Sequence, residues 1–136
     1  MGSSNTELYN VYIVYFTQRS GPPHEGIALV PAQQELQNGG RFYHVIGSVG
    51  IGMQYEYRNP YKFGVTKTYK EKVYQFQLPV SYLPDFERIV KSHDPPHDPR
   101  ALTESQPDPP VKDCAAWVHE ALEDVRAFLK SAGLAA

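Results

Sequence analysis

The sequence predicts an α+β fold, an antiparallel sheet of about five strands packed against one long C-terminal helix. Three observations point there. Short runs of β-branched and aromatic residues, punctuated by Gly, Pro and Asn, fill the chain up to Leu78. A single extended stripe of apolar residues at helical spacing closes it. Between them lies a proline-rich stretch, 93–110, with little apolar content.

The elements follow in order. Val11-Tyr12-Ile13-Val14-Tyr15-Phe16 is apolar on both faces, which suits a central strand. Ser20-Gly21-Pro22-Pro23 breaks it. A second strand runs from His24 to Val30 and stops at Pro31. After a Gln-rich loop with an Asn38-Gly39-Gly40 turn, a third strand passes through Phe42, His44 and Ile46, so these two strands read as a long-looped hairpin. Gly47 to Gly52 reads as a flexible corner before a fourth strand, Met53 to Arg58. Val73 to Leu78 alternates as a half-buried fifth, and a short helix follows from Leu83 to Ser92.

Segment 93–110 reads as an extended, polyproline-like surface loop. Because Pro110 is so close to Asp113, the loop is expected to border the mouth of any cleft at the start of the last helix. In that helix Cys114, Trp117, Val118, Ala121, Leu122, Val125, Phe128 and Leu129 share one stripe, with Asp113 as N-cap and Gly133 as terminator.

With 136 residues the chain suits one domain, residues 9–132, behind a flexible N-terminus at 1–8. A formal charge of −2 argues against a nucleic-acid partner. One cysteine permits no intrachain disulfide and suits a reducing, cytoplasmic setting. The N-terminal residues lack the pattern of a secretory signal, and no apolar stretch approaches the ~20 residues of a transmembrane segment, so a soluble protein is expected.

That lone cysteine opens a helix, where the helix dipole and a nearby His⁺ both favour thiolate, the attacking species. His24 begins one strand and His44 lies in the next, with parity that allows both to face the last helix. The pattern assigns Cys114 as nucleophile, His24 as general base and His44 as the group that orients its ring, with first-turn amides as part of an oxyanion hole. Gln18 and Tyr12, on the strand before His24, and Trp117 are candidate substrate contacts. Set against this, a free cysteine on an apolar stripe is commonly core filler. His93, Asp94, His97 and Asp98 cluster in sequence, but their prolines hold the chain extended and they read as solvated, as does His119; no metal and no cofactor are expected.

The words Asp113-Cys114-Ala115-Ala116-Trp117-Val118 resemble the Asp-Cys-Ser-Gly-Phe-Val type of nucleophile motif of the NlpC/P60 papain-like superfamily. Here the histidines precede the cysteine. His24-Glu25-Gly26-Ile27-Ala28-Leu29, then Tyr43-His44-Val45, then Asp113-Cys114 are similar in order to the circularly permuted branch. That branch holds lecithin:retinol acyltransferase, the H-rev107-like phospholipases/acyltransferases and the PPPDE peptidases. The resemblance implies a permuted papain-like arrangement and a Cys114–His24–His44 set. It also implies a cysteine-dependent hydrolase or acyltransferase acting on an amide, ester or thioester of a small molecule or peptide. The Ala that follows Cys114 departs from the family's polar residue and offers no side chain to an oxyanion. The alternative is a non-catalytic, small-molecule-binding or accessory biosynthetic module on the same scaffold, its groove lined by some of the many tyrosines.

Overall fold

A computed structural model describes residues 7–19, 21–35 and 39–134. The fold is α+β, with a five-stranded sheet whose hydrogen-bonded neighbours are all antiparallel. The strands are β1 (Leu8–Phe16), β2 (His24–Pro31), β3 (Gly40–Ile46), β4 (Gln54–Tyr61) and β5 (Tyr69–Pro79), in spatial order β4-β3-β2-β1-β5. Three helices follow: α1 (Leu83–Lys91), the short α2 (Arg100–Thr103) and α3 (Cys114–Ser131).

β1 is central, paired with β2 on one side and β5 on the other, which explains why its sequence is apolar on both faces. Val11 and Ile13 point to one side of the sheet, Val14 and Phe16 to the other. On the first face Ile27, Leu29, Tyr43, Val45, Phe76 and Leu78 pack against α1 and α3. On the second, Ala28, Val30, Phe42 and Phe63 join Val14 and Phe16 in a smaller, aromatic cluster.

β2 and β3 are neighbours, with Ile27 opposite Tyr43 and Ala28 opposite Phe42. The Asn38 part of the expected turn lies outside the described residues, as do the first six residues of the N-terminus. β4 and β5 form the edges and run longer than their apolar patterns suggest. Pro60 is tolerated in β4 because an edge strand leaves one side of its backbone unpaired. The exposed lysines of Tyr69-Lys70-Glu71-Lys72 guard the edge at β5.

α3 begins where the sequence places it. Asp113 has extended backbone (φ −131°), and its side chain accepts a hydrogen bond of 3.1 Å from the Ala116 N–H. Gly133, at φ +85°, terminates the helix in the left-handed region that glycine favours. Cys114, Trp117, Val118, Ala121, Leu122, Val125 and Leu129 are buried on its sheet-facing stripe, whereas Phe128 is half-buried beside Tyr82.

The proline-rich segment is mostly exposed, but it is not a free extended loop. It contains α2, and it is tied to the corner between β3 and β4: the Met53 N–H donates to the Pro96 carbonyl and the Asp98 N–H to that of Val49, each at 2.9 Å. Leu102 packs so close to Gly50 that an added Cβ would collide with it, whereas Gly47 and Gly52 have room for a Cβ but adopt φ of +100° and +118°. Close approach therefore explains Gly50, and backbone conformation the other two. Among the described residues no helix is long and apolar enough to cross a membrane.

Candidate active site

One end of the sheet carries the chemistry-bearing residues. β2 starts at His24, β3 ends at Ile46 and α3 starts at Cys114, and a cavity of about 420 Å³ lies among them. Its walls are Gln18, Pro22, Pro23, His24, His44, Val45, Ile46, Gly47, Met53, Asp113 and Cys114. The volume falls in the range of small-molecule sites.

Cys114 is the first residue of α3 and is 9% exposed. The backbone amides of Glu25 and Ala115 act on its sulfur, which places it by the first peptide of β2, one residue from His24. Burial pushes the thiol above its ordinary range, the Asp113 and Glu25 carboxylates push the same way, and the two amides oppose them. Desolvation and the two nearby carboxylates thus work against the expected thiolate, whereas the amides at the helix start work for it.

The histidines form a relay. His24 Nε2 lies 2.8 Å from His44 Nδ1, and His44 Nε2 lies 2.6 Å from Glu56 Oε1. Arg58 Nε donates to the same Glu56 oxygen at 3.2 Å. Burial, reinforced by the neighbouring His44, lowers His24 to about 4. Burial also lowers His44, against the pull of the Glu56 hydrogen bond and charge. The hydrogen bond from His44 holds Glu56 below the usual carboxylate range. At neutral pH both rings are uncharged and Glu56 is ionised.

The two histidines share a face of the sheet, but it is not the face that meets α3. Phe16 packs near His24 (ring centroids 6.0 Å apart) and Phe42 against His44 (4.2 Å), and both phenylalanines belong to the second-face cluster. Even-numbered positions of β2 and β3 point away from α3, and Ile27, Leu29, Tyr43 and Val45 take the near side. The histidines reach the cavity of Cys114 because they stand at the strand ends, where the two layers open. From the far side, a recess of about 250 Å³ walled by Phe16, Phe42, Tyr61 and Thr68 also touches both rings.

The remaining sequence-picked residues divide. Gln18 lines the cavity, its amide donating to the Pro22 carbonyl at 2.8 Å. Tyr12 stands apart, edge-on to Tyr74 with Lys72 over its ring. Trp117 is 2% exposed in the first-face core, where its Nε1–H donates to the His93 carbonyl at 2.9 Å. Neither is part of the cavity wall. No residue of 93–110 lines it either: the loop backs the corner that supplies Gly47 and Met53 instead of facing a substrate.

His93 pairs with Asp124 (2.7 Å) and Asp98 with Arg100 (2.8 Å), and among the described residues no three metal-binding side chains converge. His119 is not merely solvated. Its Nε2 lies 3.3 Å from Glu25 Oε1, an oxygen that is buried without a well-aligned hydrogen bond. Burial raises the Glu25 carboxyl, and His119 offsets part of that rise.

Glu56 escaped the sequence reading. The signal that finds it is register: His44 faces Glu56 across the β3–β4 ladder.

A protein-family model described as "Family of unknown function (DUF6540)" matches residues 11–128, a span that includes every member of the relay and Cys114. The chain belongs to this family. No curated protein and no solved structure matches it.

Proposed function

We propose that the chain is a cysteine-dependent hydrolase or acyltransferase in a permuted papain-like arrangement. The observation that carries this reading is the convergence of Cys114 and a hydrogen-bonded His24–His44–Glu56 relay on one cavity. Cys114 Sγ attacks the carbonyl carbon of an amide, ester or thioester while its proton passes to His24. His24 returns that proton to the departing amine, alcohol or thiol. Water or an acceptor then attacks the acyl-enzyme, again with His24 as base, and the thiol is restored. A raised thiol beside a neutral imidazole suits proton transfer during attack, rather than a preformed ion pair. The Ala115 amide, already directed at the sulfur, is a natural part of the oxyanion site.

The walls favour an uncharged acyl group. Pro22, Pro23, Val45, Ile46 and Met53 are apolar, no Lys or Arg stands among the lining residues, and Asp113 disfavours an anion. The chemistry needs no cofactor. Intact-mass spectrometry after exposure to a panel of activated esters, thioesters and amides tests the reading. One acyl adduct is expected on the native chain, none on Cys114→Ala, and a much slower one on His24→Gln. Equal labelling of Cys114→Ala would overturn it.

One observation favours a second reading, a non-catalytic binding module: the thiol is nearly buried, and that burial pushes it above its ordinary range. In that case the cavity still binds small apolar molecules, but no probe acylates Cys114.

A further inference from the structure

Three side chains connect the cavity to the edge strand β4, and the proton count along them is fixed by one group. Glu56 Oε1 is 2.6 Å from His44 Nε2. An ionised carboxylate only accepts hydrogen bonds, so His44 Nε2 must carry a hydrogen. In a neutral imidazole the other nitrogen is then bare. That bare nitrogen, His44 Nδ1, is 2.8 Å from His24 Nε2, and a hydrogen bond between two nitrogens needs one proton. His24 Nε2 must supply it. His24 Nδ1 is left with a lone pair.

We propose that Glu56 is a positioning residue that sets the tautomers of both histidines, so that His24 Nδ1 is a proton acceptor for Cys114. In the opposite arrangement Nδ1 would carry a hydrogen and could accept nothing.

The carboxylate is itself held. Arg58 Nε donates to the same oxygen at 3.2 Å, and the His44–Glu56 register makes the pairing a property of the ladder. When the thiol proton moves from Sγ to His24 Nδ1, the resulting imidazolium keeps its Nε2–H bond to His44. No second proton transfer is required, and the negative charge on the far side of the His44 ring stabilises the cation. The tautomer assignment stands on the hydrogen-bond geometry together with an ionised Glu56 and uncharged rings; its catalytic consequence rests on the cysteine-enzyme reading above.

The test uses the full chain with ¹⁵N-labelled histidine. Two-bond ¹H–¹⁵N correlations at neutral pH report which ring nitrogens carry hydrogen. The native protein should show His24 and His44 each as a single tautomer, protonated at Nε2. Glu56→Leu should convert both rings to tautomer mixtures and slow acylation of Cys114 by p-nitrophenyl acetate roughly 10- to 1,000-fold. Glu56→Asp should restore the single tautomer and part of the rate.

A hydrogen on His24 Nδ1 in the native protein, or unchanged tautomers in Glu56→Leu, would overturn the proposal. Should Glu56→Leu not fold, Glu56→Gln serves: its amide can donate as well as accept, so mixed tautomers are again expected and a single unchanged tautomer counts against. Native spectra as described, with no acylation by any probe, would remove the enzyme reading and leave the positioning role intact.

Discussion

Gly26 is where sheet packing and the site meet. A Cβ added there would run into the edge of the Phe42 ring at Cε1 and, at 2.7 Å, at Cζ, and would stand 3.1 Å from His44 Cβ. The backbone of Gly26 is not among those with positive φ, so the obstacle is steric and not conformational. Phe42 has little room to yield. It is 1% exposed, with ring centroids 4.8 Å from Tyr61 and 5.5 Å from both Phe16 and Phe63. His44 is a further ring neighbour, at 4.2 Å. Alanine for glycine ordinarily gains about 0.4–1 kcal/mol by stiffening the unfolded chain. Here overpacking should reverse the sign and cost about 1–3 kcal/mol, a fall in Tm of roughly 3–11 °C for a chain of this length.

Urea melts at constant m-value measure that cost. The double variant Gly26→Ala/Phe42→Leu checks the cause, since a smaller side chain opposite the new methyl should make the two changes less than additive by at least about 0.5 kcal/mol. The acylation rate of Gly26→Ala should fall as well, because the displaced ring pushes on the relay. Stability within about 0.5 kcal/mol of the native chain, or strict additivity in the cycle, would refute the packing argument.

Two further outcomes follow from the charges. Alkylation of Cys114 by iodoacetamide should be slow at neutral pH and climb through an inflection above the ordinary thiol range. Asp113→Asn, which keeps the cap but removes a carboxylate that raises the thiol, should move that inflection down, whereas Asp113→Ala should in addition lower stability by about 0.5–2 kcal/mol; an Asp113→Asn profile equal to the native one would show that this charge does not act on the sulfur. Acidification should destabilise the fold: the unfolded chain takes up a proton on His24 near 6.5 and the folded chain only near 4, so stability falls as pH drops between those values, by up to about 3 kcal/mol, and the lowered His44 adds in the same direction. Urea melts across that window should lose part of this slope in His24→Gln, and an unchanged slope would mean that His24 is not buried neutral.

The strands and helix at the heart of the fold were legible because their burial is written in side-chain chemistry. β1 is β-branched or aromatic at nearly every position, and α3 carries an N-cap, an apolar stripe and a terminating glycine in the right order. The edges were less legible. The first half of β5, Tyr69-Lys70-Glu71-Lys72, is almost wholly exposed and has no apolar signature to read, and β4 continues through a proline. α2 hides among prolines because a single turn imposes no periodicity. Of the site, His24, His44 and Cys114 could be picked as residue types that favour one chemistry. Glu56 could not, because it becomes a partner only through the β3–β4 register, and the corner between those strands is held by contacts from residues 96–102 that lie far along the chain.

Strand parity, taken alone, would have separated the thiol from the histidines. Cys114 belongs to the core cluster between the sheet and α3, and both histidines point to the opposite face. They line one cavity because each stands at an end: His24 is the first residue of β2, His44 is near the last of β3, and Cys114 is the first of α3. The joint is the first peptide of β2. Its Glu25 amide acts on the Cys114 sulfur, and the ring one residue before starts the relay to Glu56. Where β2 begins therefore sets where the His24 ring stands relative to Cys114. That point is fixed by the pairing of His24 with Phe16 and by the absence of a side chain at Gly26. The aromatic cluster on the far face of the sheet thus packs, through Phe16 and Phe42, against the two imidazoles that line the cavity of Cys114.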